Sequence, residues 1–168
     1  MNGIDQLCPN CGLCCDSTLF ADVELRAGDD AKKLKKMVLT IYPKTRAKQA
    51  FDQPCACFDG QLCRIYAGRP KRCRLFACGL LKRVEAAEIT PAAALKKIKV
   101  AKQEANQIRA LLRALGHQDE AMALTHRYGE VMAGPVDFSD PEQAEKRGEL
   151  MLAVADLMER LQHDFLTR

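Results

Sequence analysis

Residues 8–15 read CPNCGLCC, and this stretch decides what kind of fold the chain can have. Cys8 and Cys11, then Cys11 and Cys14, are each separated by two residues. At that spacing a turn points two sulfurs to the same side and supplies half of a tetrahedral thiolate site. Pro9-Asn10 and Gly12 let the backbone bend, so residues 1–15 are expected to form a turn region around a ligand centre. Cys15 follows Cys14 directly. Adjacent side chains project apart, so these two sulfurs are expected to serve different metals or different edges of a cluster. A cubane iron–sulfur cluster also uses two-residue steps of this kind, and the spacing by itself leaves zinc and iron open.

A second cysteine set follows about forty residues later at Cys55, Cys57, Cys63, Cys73 and Cys78, and the last 90 of the 168 residues contain none. The composition changes at the same place, toward Ala, Leu, Lys, Glu and Gln. Two regions are therefore expected, a cysteine-rich metal-binding region over 1–81 and a helical region over 82–168, packed as one compact unit. An apolar content of 48% suits a folded chain. The first residues lack a signal-peptide pattern and no run approaches the ~18 apolar residues of a membrane helix, so a cytoplasmic location without membrane contact is expected. In that reducing compartment dense cysteines are metal ligands more often than disulfides, and nine is an odd number. The formal net charge of +4 counts thiols as neutral; eight thiolates around two divalent ions would bring it to about zero. That weakens the case for a nucleic-acid partner, as do aromatics at 5% and the lack of Trp.

Periodicity gives the rest. Ser17 to Leu25 is compatible with a short strand, and AKKLKKMVL with a helix that buries Leu34, Met37 and Val38 beneath a wet lysine face. Lys44 to Gln53 reads as a polar connector. Asp59-Gly60 separates PCACF from QLCRIY and predicts a hairpin with cysteines on both sides. Pro70 should open a helix carrying Cys73, Phe76 and Cys78. Thr90-Pro91 caps a long helix ended by Gly116, with Ile98, Ala101, Ala105, Ile108, Leu112 and Leu115 along one seam. A second helix is expected over 119–132 with Ala121, Leu124, Tyr128 and Val131 inward. A third opens at Asp140-Pro141 with Met151, Val154, Met158, Leu161 and Phe165 inward. The fold class is thus mainly α, with a small irregular α+β cysteine-rich part and C-terminal helices packed as a hairpin or three-helix layer.

CPNCGLCC, a later PC, and then LCRIYAGRPKRCRLFAC together resemble the CxxCxxCC cysteine-cluster family, also called YkgJ-like and described as zinc- or iron-chelating. The resemblance spans residues 8–81. It implies Cys8, Cys11, Cys14, Cys15, Cys55, Cys63, Cys73 and Cys78 as ligands, as two four-cysteine sites or an iron–sulfur cluster such as [4Fe-4S]. Cys57 stands where the family has an apolar residue and could exchange roles with Cys55. Within the same string, Arg69 and Arg74 could donate to the sulfurs and offset their charge, and Tyr66 could pack over the site. Asp16 reads as a turn carboxylate, and His117, His126 and His163 lie far along the chain from the thiols.

Three functions compete. A zinc-binding protein with closed four-sulfur sites would act on a protein partner through its helices. An iron–sulfur redox protein or enzyme is the alternative, because larger proteins with a similar cluster resemble lysine methylases. No glycine motif for S-adenosylmethionine, no phosphate loop and no catalytic Ser/His/Asp frame is present, which leans away from an enzyme. A zinc-dependent nucleic-acid module comes third. Oligomeric state is left open by seams of Ala and Leu.

Overall fold

The computed structural model describes residues 3–166. Seven helices and one three-stranded antiparallel sheet follow in the order α1 (Gly3–Cys11), β1 (Asp22–Glu24), α2 (Ala31–Lys36), β2 (Tyr42–Thr45), β3 (Lys48–Asp52), α3 (Lys71–Leu75), α4 (Gly79–Glu85), α5 (Pro91–Ala114), α6 (Leu124–Ala133) and α7 (Pro141–Arg160). The chain is mainly helical, as its periodicity requires, and the C-terminal helices pack on one another.

Both long helices start where their caps place them. The Thr90 hydroxyl accepts from the Ala93 amide at 3.2 Å and the Asp140 carboxylate from the Gln143 amide at 3.1 Å, each just before a proline whose missing N–H would have had no helical partner. Helix α5 buries Ala94, Ile98, Ala101, Ala105, Ile108 and Leu112, a stripe at three-four spacing that packs against α7, α1 and α6. Its small alanines allow close approach. Gly116 ends it at φ +87°, a conformation open to glycine at little cost.

In helix α7 and the turn after it Val154, Leu161 and Phe165 are buried as expected, but the two methionines are not. Leu150, Ala153, Val154 and Leu157 face the core, while Met151 and Met158 are 54% and 55% exposed. Two adjacent stripes share the same spacing, and the one richer in leucine is buried. Past Arg160 the helix widens into a π turn over Leu161–Leu166, which brings Asp164 and Phe165 inward together. Helix α6 starts at Leu124 rather than 119 and leaves Ala121 exposed.

Four further expectations are corrected in the first half. Residues 3–11 form a helix despite Pro9, where a turn region was expected; the start of that region, residues 1 and 2, lies outside the described residues. The polar connector is instead β2 and β3, two strands of a sheet in the order β1-β3-β2, with Val23 opposite Phe51 and Tyr42 opposite Ala50. Ala50 and Phe51 are buried, while the wet face is tied by Lys44 to Asp22 at 2.7 Å and Lys48 to Glu24 at 3.0 Å. Around Asp59-Gly60 only one bridge forms, Phe58 to Cys63, because the Asp59 carboxylate takes the Gln61 and Leu62 amides and closes a tight loop. In α2 only Leu34 is buried; Val38 turns to φ +74° and is 75% exposed.

The core falls into two clusters. The larger joins Leu7, Leu13, Leu19, Leu80 and Leu81 to the inner faces of α5 and α7. The smaller lies under the sheet and holds Val23, Leu34, Leu39, Ile41 and Phe51 with Cys55 and Cys57.

Candidate metal centre

The turn after α1 sorts the first four cysteines. Gly12, at φ +74°, bends the chain so that the Cys15 and Asp16 amides both donate to its carbonyl, at 2.7 and 2.9 Å. A side chain at Gly12 would meet the Phe58 ring at 2.6 Å, so glycine is required there both for φ and for space. Beyond the bend Leu13 is fully buried in the larger core, and the cysteines on either side of it part company. Cys8, Cys11 and Cys14 pack against the larger core together with Cys78. Cys15 packs with the sheet cluster beside Cys55 and Cys73, and its carbonyl accepts from the Cys55 amide at 2.8 Å.

Electrostatics adds Cys63 to the second group and couples the two groups at Cys14 and Cys15. Burial pushes the Cys14 thiol well above its ordinary value, and the neighbouring thiols that push further are Cys11, Cys15, Cys78 and Cys8. Cys15 is raised by burial and then by Cys55, Cys63 and Cys73. Burial likewise lifts Cys11 and Cys55 to about 12 and Cys73 to about 11, and raises Cys8 and Cys78. The chain thus holds two neighbourhoods of four thiols, Cys8, Cys11, Cys14 and Cys78 in one and Cys15, Cys55, Cys63 and Cys73 in the other, meeting at the Cys14–Cys15 peptide.

All eight line one cavity of about 550 Å³, and Cys57 does not. Instead Cys57 is 3% exposed and donates its thiol to the Met37 carbonyl at 3.0 Å. Cys78 caps α4 rather than riding on α3, and its sulfur accepts from the Leu81 amide at 3.4 Å. Among the described residues no three cysteine, histidine or carboxylate groups are already gathered into coordination geometry. The thiols surround a space instead of closing on a point. The donor set nonetheless fits soft or borderline ions, since thiolates select zinc, copper(I) and iron–sulfur centres over hard cations.

Arg69 stands between the two neighbourhoods. Burial raises both Cys8 and Cys73, and the Arg69 guanidinium opposes that rise at each. It is held in place by its own turn, with Nε donating to the Tyr66 carbonyl at 2.8 Å and the guanidinium 3.4 Å above the Tyr66 ring. Tyr66 and Arg69 both line the cavity; Arg74 is exposed and does not. Ile65 and Phe76 line it too, Phe76 meeting Phe20 edge-on at 5.0 Å.

Sequence reasoning missed what fastens the turn from behind. Arg109 of α5 donates to the Asp16 carbonyl at 2.9 Å and the Thr18 hydroxyl at 3.1 Å, and its guanidinium lies 3.3 Å from the Asp16 carboxylate. The Ser17 hydroxyl accepts from the Leu124 amide at 3.1 Å in a buried contact. The polar trio Asp16-Ser17-Thr18 was a signal for a turn, with nothing in it to name partners some ninety residues away. His117 pairs with Glu130 and His163 with Asp164, both away from the cavity lining.

A pH dependence follows. A thiol raised above 9.0 in the folded, metal-free chain contributes stability that is complete below that pH and is lost as pH rises toward the folded values of about 11 to 12. Metal-loaded protein should show the reverse trend, because ligands must shed protons to bind and acid returns them. Urea midpoints under reductant should therefore fall from neutral pH to about pH 10 without metal and fall on acidification with metal. Parallel pH profiles for the two forms would contradict this.

A family model named CxxCxxCC and described as "putative zinc- or iron-chelating domain" matches residues 7–107. No curated protein and no solved structure matches the chain.

Proposed function

Because the chain belongs to the CxxCxxCC family, we propose that it is a metal-binding protein in which the eight cavity-lining cysteines hold two zinc ions as two closed four-thiolate sites. Cys8, Cys11, Cys14 and Cys78 hold one; Cys15, Cys55, Cys63 and Cys73 hold the other. The observation that supports this reading is that Cys8, Cys11, Cys14 and Cys78 pack against one core while Cys15, Cys55 and Cys73 pack with the other, with Cys63 joined to the second group by its electrostatic action on Cys15. Cys57, outside the cavity and donating to Met37, is left out.

Four thiolates around a divalent ion retain about two negative charges, and Arg69, acting on a cysteine of each set, offsets part of both. Zinc supplies cross-linking here: it ties α1, α3, the start of α4 and the loop of residues 53–65 to one another where apolar residues are few. A closed site leaves no open coordination position, so the function of this region is to hold a surface in shape.

Metal stoichiometry tests the division. Native protein should contain about two zinc ions per chain. Cys14→Ser and Cys15→Ser should each bring this to about one, Cys8→Ser added to Cys14→Ser should remove no more, and Cys14→Ser with Cys15→Ser should remove nearly all. Equal, independent losses at every cysteine would contradict the two sets. The shared cavity of about 550 Å³ favours one other reading, an iron–sulfur cluster. Brown protein with broad absorption near ~400 nm, iron and acid-labile sulfide after anaerobic purification would replace zinc with that centre.

A further inference from the structure

A second cavity, of about 390 Å³, shares Phe76, Phe165 and Arg72 with the cysteine cavity as a common wall. Its floor is apolar, with Phe76 and Phe165 joined by Leu75 and Leu166, which are 68% and 40% exposed. Arg26, Arg72 and Lys82 stand exposed around it, and among the described residues no carboxylate lines it. The contrast with the adjacent residue is direct: Arg83 is already taken by Asp164 at 3.0 Å, while Lys82 faces the cavity.

Both sides of this groove are built. The Asp29 carboxylate accepts from the Arg26 amide and from the Lys71 amide, each at 2.8 Å, and Lys71 Nζ donates to the Ala27 carbonyl at 2.6 Å. These bonds fix the Arg26 loop to the start of α3, which carries Arg72. On the other side the Arg83–Asp164 pair fixes α4, which carries Lys82, to the turn that carries Phe165 and Leu166. A groove with an apolar floor, bordered by three exposed cations on anchored backbone, thus stands open to solvent.

We propose that this groove binds an acidic peptide segment carrying a bulky apolar side chain, which would sit on the Leu75–Phe165 floor while its flanking carboxylates meet Arg26, Arg72 and Lys82. Charge complementarity favours an anion, since three cations line the groove and no carboxylate does so among the described residues. The concave apolar floor favours a peptide over a polynucleotide, which needs a linear cationic track and open aromatic faces. Here the Phe76 ring is engaged edge-on with Phe20. A membrane surface would call for protruding groups rather than a well. This site is independent of which metal the cysteines hold.

The test uses the full chain as purified under reductant and a fluorescein-labelled Glu-Asp-Leu-Phe-Glu-Asp peptide, read by fluorescence anisotropy. Saturable binding is expected, weakening with salt. It should be at least ~10-fold weaker for a Glu-Asp-Ser-Ser-Glu-Asp peptide and for Arg72→Glu or Lys82→Glu protein. Arg26→Glu, on a loop outside the helices, should give the same loss without disturbing a helix, and Lys99→Glu, a remote exposed cation, should leave binding unchanged. Absence of saturable binding across acidic peptides bearing Leu, Phe or Trp overturns the proposal, as does binding indifferent to all three reversals. Tighter binding of a thymidine oligonucleotide or of phosphatidylserine vesicles, lost in the same variants, assigns the groove to a phosphate ligand and overturns the peptide.

Discussion

Stripping the metal with a chelator under reductant should melt the sheet and the loops around Cys55 to Cys73 while α5 and α7 stay folded. The smaller core explains why. Under the sheet only Val23, Leu34, Leu39, Ile41 and Phe51 are buried aliphatic or aromatic side chains, and two of its other members are cysteines. Such a core is too small to hold its loops unaided, and small domains of this kind depend on metals or disulfides. Structural zinc in isolated finger peptides contributes ~10–16 kcal/mol of apparent binding free energy, as much as the whole stability of an ordinary domain. The cysteines nearer the helices have more support, because Leu7, Leu13, Leu19, Leu80 and Leu81 share the larger core with Ile98, Ile108 and Leu150. Limited trypsin digestion after metal removal should therefore cut first between about residues 26 and 72, at Arg26, Arg64 and Arg72, with the fragment containing α5 to α7 surviving. A digestion pattern and circular dichroism unchanged by complete metal removal would show that the sheet region folds without metal.

Asp164→Ala should cost about 3 kcal/mol, or roughly 6–12 °C in Tm. Its carboxylate is 2% exposed and receives Lys97 Nζ at 2.9 Å, Arg83 Nη2 at 3.0 Å and His163 Nδ1 at 3.0 Å. Burial raises this carboxyl, but the hydrogen bonds from Lys97, Arg83 and His163 outweigh it and hold it below its ordinary value. The contribution is therefore present above an ordinary pH of 3.8 and is lost as pH falls below it. Removing the carboxylate leaves two cations facing each other across α4 and α5. Their partial exposure to water keeps the loss at the lower end of the range for broken buried pairs. Asp164→Asn should recover part of it by restoring an acceptor. A change below about 0.5 kcal/mol in urea unfolding, the scale of an ordinary surface substitution, would show that the three donors are satisfied by water.

Helices with strong caps were legible, and those that depend on distant partners were not. Thr90-Pro91 and Asp140-Pro141 name their helix starts because each hydroxyl or carboxylate needs only the next turn's amides. Along α7 and its last turn the inward Val154, Leu161 and Phe165 were legible, but Met151 and Met158 keep the same spacing as Leu150 and Leu157, and only packing against α5 chooses between them. Strands β2 and β3 were hidden by their polar residues, among them Lys44 and Lys48, whose carboxylate partners Asp22 and Glu24 lie on β1. Pro9 concealed α1. At the site, the cysteines could be found by spacing and resemblance. Their division could not, since it depends on the side to which the Gly12 turn throws each sulfur, and Arg109 and Ser17 act through contacts that no local pattern announces.

The wall of the cysteine cavity includes Phe165, close to the end of the chain, whereas the last thiol lining it is Cys78. Roughly ninety residues separate the two, and a ribosome adds ~5–20 residues per second. Cys78 thus leaves the ribosome roughly 4 to 17 seconds before the aromatic ring that helps to cover the cavity, and every other cavity thiol leaves earlier still. During biosynthesis the full set of cavity thiols is therefore made before the ring that helps to cover the cavity can join them.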